Sequence, residues 1–111
     1  MPLLPNAELA YVPMEKLTDY ALNPEHPIGK HKAAVFKSVL GMNGVDADYL
    51  RDKIMEAVLT REAVPTRLDE FGHRYHIEFE IERNGRKATV LTAWILAHNV
   101  LAPRLTSCYI K

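Results

Sequence analysis

HRYHIEFEIERNGRKATVLTAWI, residues 73–95, decides the fold. Tyr75, Ile77, Phe79 and Ile81 alternate strictly with Arg74, His76, Glu78, Glu80 and Glu82, the period of a strand with one buried face. Asn84-Gly85 follows, and both residues tolerate the positive φ that a two-residue type I′ turn demands. That turn fixes a register in which Ile81 faces Ala88, Phe79 faces Val90, Ile77 faces Thr92 and Tyr75 faces Trp94. On the polar side Glu82 meets Lys87, a favourable cross-strand pair.

Working outward, TRLDEF at 66–71 and RLTSCYI at 104–110 read as strands flanking the hairpin. Upstream the period changes. LAYV at 9–12 is a short candidate strand, and Pro13 opens a helix that carries Leu17, Tyr20 and Ala21 and stops at Asn23-Pro24. A second helix runs from Ile28 to Leu40 and is closed by Gly41. A third opens at Asp46 as N-cap and repeats Tyr49, Leu50, Ile54, Ala57 and Val58 at helical spacing to about Arg61. The expected fold is therefore α+β: about three N-terminal helices packed on one face of a four-stranded antiparallel meander. It is expected to form one domain over 1–111, with a helical half at 1–62 and a sheet half at 63–111.

Composition narrows the function. The 111 residues suffice for one modest core, and 48% hydrophobic with 25% charged residues is a globular profile. Lys plus Arg and Asp plus Glu balance at 14 each, so an anionic partner has to be met by a local cluster rather than a global field. Cys108 stands alone and is expected to be a packed thiol. The cysteine and histidine spacings suggest no metal, and no motif calls for a cofactor. The opening MPLLPNAELAYVP, with prolines at 2 and 5, reads as neither a signal peptide nor a membrane anchor. The expected location is the cytoplasm, or delivery as part of a larger secreted toxin, and no membrane partner is expected.

NPEHPIGKHKAAVF at 23–36 raises the chemical question. Projected at helical spacing, Ile28, Val35, Phe36, Val39 and Leu40 form an apolar arc with Lys32 at its centre and His31 at its edge. An ammonium aimed at a core is costly unless it is paired or reaches a wet rim. Either the lysine stem covers apolar surface while its head escapes to water, or the head is a cation kept at the rim for an anion.

The runs YALNPEHPIGKHKAAVF at 20–36, GHRYHIE at 72–78, NGRKATVLTAWI at 84–95 and APRLTSCY at 102–109 together resemble a bacterial family of unknown-function domains. Its pattern is L-N-P-x-H-P-x-G-x-x-K-A-x-x-F, then G-x-R-Y, N-G-R, T-x-W and P-R-L. The resemblance spans nearly the whole chain and lands on Asn23, His26, Gly29, Lys32, Arg74, Tyr75, Thr92, Trp94 and Arg104. It implies an association with polymorphic toxins, and a layout similar to the barnase-like and colicin-like RNase toxins.

Metal-independent RNA cleavage needs a base, an acid and a cation for the developing phosphorane charge. The candidate catalytic residues are Lys32, His26, His31, Thr92 and Arg104: a cation, two proton carriers, a hydroxyl and a bidentate phosphate ligand. Each also has a structural reading. His26 can tie its loop together, Thr92 can satisfy its hydroxyl within the sheet, and Arg104 can pair with Asp69 or Glu70. A competing cluster, Arg74, His76 and Glu78, lies on the polar side of the hairpin strand. The expected partners are RNA and a cognate antitoxin or immunity protein. Against the nuclease stands a non-enzymatic module that binds a protein through its sheet edge, or an inactive member of the same fold.

Overall fold

The computed structural model describes residues 2–111. Two α-helices, α1 (Lys30–Leu40) and α2 (Ala47–Thr60), precede four strands, β1 (Ala63–Asp69), β2 (Gly72–Arg83), β3 (Arg86–Ala97) and β4 (Arg104–Ile110). The strands form an antiparallel meander in the order β1-β2-β3-β4. The third helical piece is a short segment before α1 that ends in a π-helical turn, Leu17–Ala21. This is the α+β arrangement expected.

The hairpin has the register set by its turn: Ile81 pairs with Ala88, Phe79 with Val90, Ile77 with Thr92 and Tyr75 with Trp94. Asn84 and Gly85 take φ of 54° and 76°, as a type I′ turn needs. The charges settle differently from the expectation. Lys87 reaches Glu80 at 3.8 Å, a diagonal partner, rather than Glu82 opposite it. Both side chains there are well exposed, so the pair contributes little.

α1 lies over β3 and β4 and α2 over β2, all on the face that carries Ile77, Phe79, Val90 and Trp94. Phe36 and Leu40 from α1 and Leu50, Ile54 and Val58 from α2 are buried against it. Each such side chain contributes about 1.5–3 kcal/mol on burial. Ile28 departs from the predicted apolar arc and is 71% exposed, because α1 begins two residues later and Ile28 lies in the preceding turn. Asp46 is the N-cap of α2, as expected, but its side chain makes no capping bond to that helix. It accepts instead from Asn43 N, while Asn43 Oδ1 accepts from Val45 N, closing a capping box on the 3-10 turn Gly44–Asp46 that leads into α2. β1 begins at Ala63, earlier than the TRLDEF reading, and bulges between Pro65 and Arg67. LAYV contributes a single parallel bridge, Tyr11 to Arg104, on the outer edge of β4.

Thr92 is the one buried polar side chain among the described residues. Its hydroxyl donates to Ile77 O at 2.9 Å and accepts from the indole N–H of Trp94 at 2.8 Å. Thr92→Val keeps the shape but leaves that N–H unsatisfied. We expect a loss of about 1–3 kcal/mol in chemical denaturation, with most of it restored in Thr92→Ser.

Candidate functional site on the open sheet face

The loop before α1 is built by its own polar side chains. Asn23 Oδ1 accepts from Glu25 N at 3.0 Å, and its amide donates to Asp19 O at 3.2 Å. His26 Nδ1 accepts from Ile28 N and Gly29 N at 3.0 and 2.9 Å, so the proton of the neutral ring lies on Nε2. The ring stands edge-on to Tyr20, 4.7 Å between centroids. Gly29 is buried against that tyrosine's backbone; a Cβ there would lie 2.6 Å from Tyr20 O. Gly29→Ala is therefore expected to force the start of α1 away from the π-helical turn, lowering the melting temperature and disturbing the Tyr20 ring signals in NMR spectra.

What this loop holds in place is Lys32. Its side chain is half-buried, and Nζ donates to Ser107 Oγ at 3.0 Å and, more weakly, to Tyr20 Oη at 3.4 Å. The rings of Tyr20 and Tyr109 lie 5.0 and 5.1 Å from the nitrogen. No carboxylate among the described residues approaches Lys32 within 4.0 Å. Around the nitrogen are only hydroxyls and aromatic rings, and one of its N–H groups is left over for a guest. Close by in the core, burial pushes the Cys108 thiol up to about 12, with the Lys32 charge acting in the opposite direction. Cys108 is accordingly expected to resist thiol-alkylating reagents near neutral pH until the chain unfolds.

Ser107 carries Lys32 to the face of the sheet that no helix covers. Register pairs Ser107 and His76 with Ala93, from opposite sides, and pairs Arg104 and Arg74 with Ile95. Ala93 and Ile95 are two residues apart, so all four neighbours share the open face. Each cross-sheet pair is two strand spacings apart, roughly 10 Å, and the two rows are separated by roughly 7 Å along the strands. The long side chains of His76, Arg74 and Arg104 stand at three of those corners around the small Ala93, with Ser107 at the fourth. Leu91 and Ile95, on this same face, are only 6% and 5% exposed.

Arg104 is half-buried and makes no ion pair among the described residues, unlike the expected pairing with Asp69 or Glu70. Asp69 instead takes Arg74 Nε at 2.6 Å and Arg67 Nε at 3.2 Å. Arg74, the backbone N–H of Phe71 and that of Gly72 hold its carboxyl at about 2. A carboxyl depressed in this way adds stability that is present above its unfolded value of about 3.9 and lost as pH falls through about 2. Asp69→Asn should therefore flatten the stability curve between roughly pH 4 and pH 2 and leave its neutral shape unchanged.

Of the residues singled out in the sequence, the structure brings Lys32 and Arg104 to one strand, β4, with His26 behind Tyr20. His31 is exposed and makes no hydrogen bond through its side chain, and the Thr92 hydroxyl is wholly engaged on the helix-covered face. Ser107, Tyr109 and Tyr20 were not singled out as site residues, although all three lie in the runs that carry the resemblance. His76, from the competing cluster, faces the open side with no hydrogen bond through its ring among the described residues. Its neighbour Glu78 is instead taken by Lys111 at 2.6 Å. No group of three or more His, Cys, Asp or Glu among the described residues is placed to hold a metal ion. No helix of the described residues is long and apolar enough to cross a membrane.

Helices on one face, an antiparallel sheet that no helix covers on the other and a carboxylate-free ammonium at its edge define a small α+β domain whose open face carries Arg74 and Arg104 beside a row of glutamates. The chain belongs to the family described as Domain of unknown function (DUF6883), whose model matches residues 3–111. No curated protein and no solved structure matches it.

Proposed function

We propose that the chain is a metal-independent ribonuclease domain of the toxin type, acting on RNA laid across the open face of the sheet. The observation that carries this reading is Lys32: a half-buried ammonium, free of any carboxylate among the described residues and bonded to Ser107 on the strand that also carries Arg104. In the proposed reaction the 2′-oxygen of RNA forms a bond to phosphorus and the bond from phosphorus to the 5′-oxygen breaks. One proton leaves the 2′-hydroxyl and one is delivered to the departing 5′-oxygen. Lys32 stabilises the charge that builds on the phosphoryl oxygens, and Arg104 grips the same group through two parallel hydrogen bonds. His76, across Ala93 from Ser107, is the proton carrier on that face, while His26, its Nδ1 engaged by two backbone N–H groups, holds the loop that positions Lys32. Thr92 and His31 take no part in this scheme.

Expression in a bacterial host tests the reading. It predicts growth arrest with fragmented RNA, abolished by Lys32→Ala in a chain that still folds. Unimpeded growth with intact RNA would instead favour the second reading, a non-enzymatic module bound by an antitoxin-like or immunity-like protein. The observation behind that alternative is the edge strand β1, where Val64 and Leu68 are exposed and Phe71 follows in the turn.

A further inference from the structure

Next to the Lys32 and Arg104 corner, the open face sinks into a hollow of about 300 Å³ lined by Thr66, Arg67, Arg74, His76, Ala93 and Thr106 among others. Two β-bulges make it. One lies between Pro65 and Arg67 on β1 and the other opposite the Ala93/Trp94 step on β4, leaving Thr66 and Thr106 as the extra residues. The small side chain of Ala93 forms the floor between them.

The two arginines are held in a particular way. Asp69 Oδ2 accepts from the Nε of both, at 2.6 Å from Arg74 and 3.2 Å from Arg67, and its other oxygen is taken by the N–H groups of Phe71 and Gly72. One carboxylate therefore orients two guanidinium groups by a single nitrogen each. The terminal Nη atoms of both make no hydrogen bond within the protein among the described residues, and the trio carries a net positive charge. Thr106 donates its hydroxyl proton to Ala93 O at 3.2 Å, while the hydroxyl of Thr66 makes no hydrogen bond among the described residues. Fixed guanidinium forks beside hydroxyls and a histidine suit a tetrahedral oxyanion, and the planar forks suit phosphate in particular.

We infer that this hollow is a phosphate-binding subsite formed by Arg67 and Arg74. It rests on the ribonuclease reading above in one respect: the phosphate it takes is a second one on the RNA strand whose scissile group reaches Lys32 and Arg104. Arg74 and Arg104 flank Ile95 two strand spacings apart, roughly 10 Å, which brings the two phosphate positions to neighbouring places on one backbone.

Amide NMR of the full chain, titrated first with inorganic phosphate and then with 2′-O-methyl RNA oligonucleotides of two and four nucleotides, tests this. Saturable shifts are expected at Thr66, Arg67, Arg74, His76 and Thr106. Arg67→Ala, a change at an exposed side chain, should weaken phosphate binding about tenfold as read from the shifts at Thr66 and Thr106. The longer oligonucleotide should bind more tightly than the shorter one, and Arg67→Ala should erase that difference. No saturable shift in the hollow, or equal binding by Arg67→Ala, would overturn the subsite even if the chain cleaves RNA. Phosphate binding that depends on Arg67, with no affinity for either oligonucleotide, would overturn the assignment to RNA in favour of a small phosphorylated molecule. If the oligonucleotides bind through Arg67 but RNA stays intact, the subsite stands and the nuclease reading fails.

Discussion

On the proposed ribonuclease reading, Lys32→Met should lower RNA cleavage by about 100- to 1,000-fold, the range seen when one preorganised charge donor is removed from a transition state. The substitution keeps a long unbranched stem against the apolar surface of α1 and deletes only the charged head. What it removes is the donor held by Ser107 at 3.0 Å and Tyr20 at 3.4 Å. Ser107 and Tyr20 remain half-exposed and can turn to water, so the melting temperature should move by only a few degrees. Initial rates on a short RNA, beside thermal melts of the same preparations, separate the two effects. A rate that falls only in proportion to the folded fraction of the variant would make Lys32 a structural residue.

The largest effect on stability is expected from Trp94→Ala. The indole is fully buried in the cluster that joins α1, α2 and the sheet, opposite Tyr75 in the hairpin register, and its N–H is held by Thr92. Removing it opens a cavity and strips the Thr92 hydroxyl of a donor, a loss of about 3–5 kcal/mol. Domains of this size have total stabilities of about 5–15 kcal/mol, so the loss takes a fifth or more of the total. Denaturant titration followed by tyrosine fluorescence measures the change. A loss under about 1 kcal/mol would show that the centre of the core has been misplaced.

The sheet was readable because two local signals agree on it. Alternation places Ile77, Phe79 and Ile81 on one face whatever the rest of the chain does, and Asn84-Gly85 allows one register. Helix starts were less legible. Ile28 looked like a core residue, but the His26 hydrogen bonds hold it in the turn before α1, and Asp46, placed as the N-cap of α2, spends its side chain on Asn43 N and Arg83 rather than on that helix. Lys32 was conspicuous as a charge on an apolar arc, yet its surroundings could not be read from that helix alone. Tyr20 comes from a π-helical turn twelve residues upstream, and Ser107 and Tyr109 come from a strand seventy-five or more residues downstream. The arginine hollow was illegible for a related reason. Each bulge breaks the two-residue parity by which a sequence assigns side chains to faces, so Thr66 and Arg67 could not be placed beside Thr106.

The account rests on a phosphodiester being cleaved on the open sheet face by an ammonium and a guanidinium without a metal. The direct measurement is to incubate the purified chain with a short RNA in excess EDTA and identify the new ends by mass spectrometry. Fragments ending in a 2′,3′-cyclic phosphate, formed by the wild type and absent with Lys32→Met and Arg104→Ala, are the predicted result. RNA that stays intact in EDTA with a fully folded chain would contradict it.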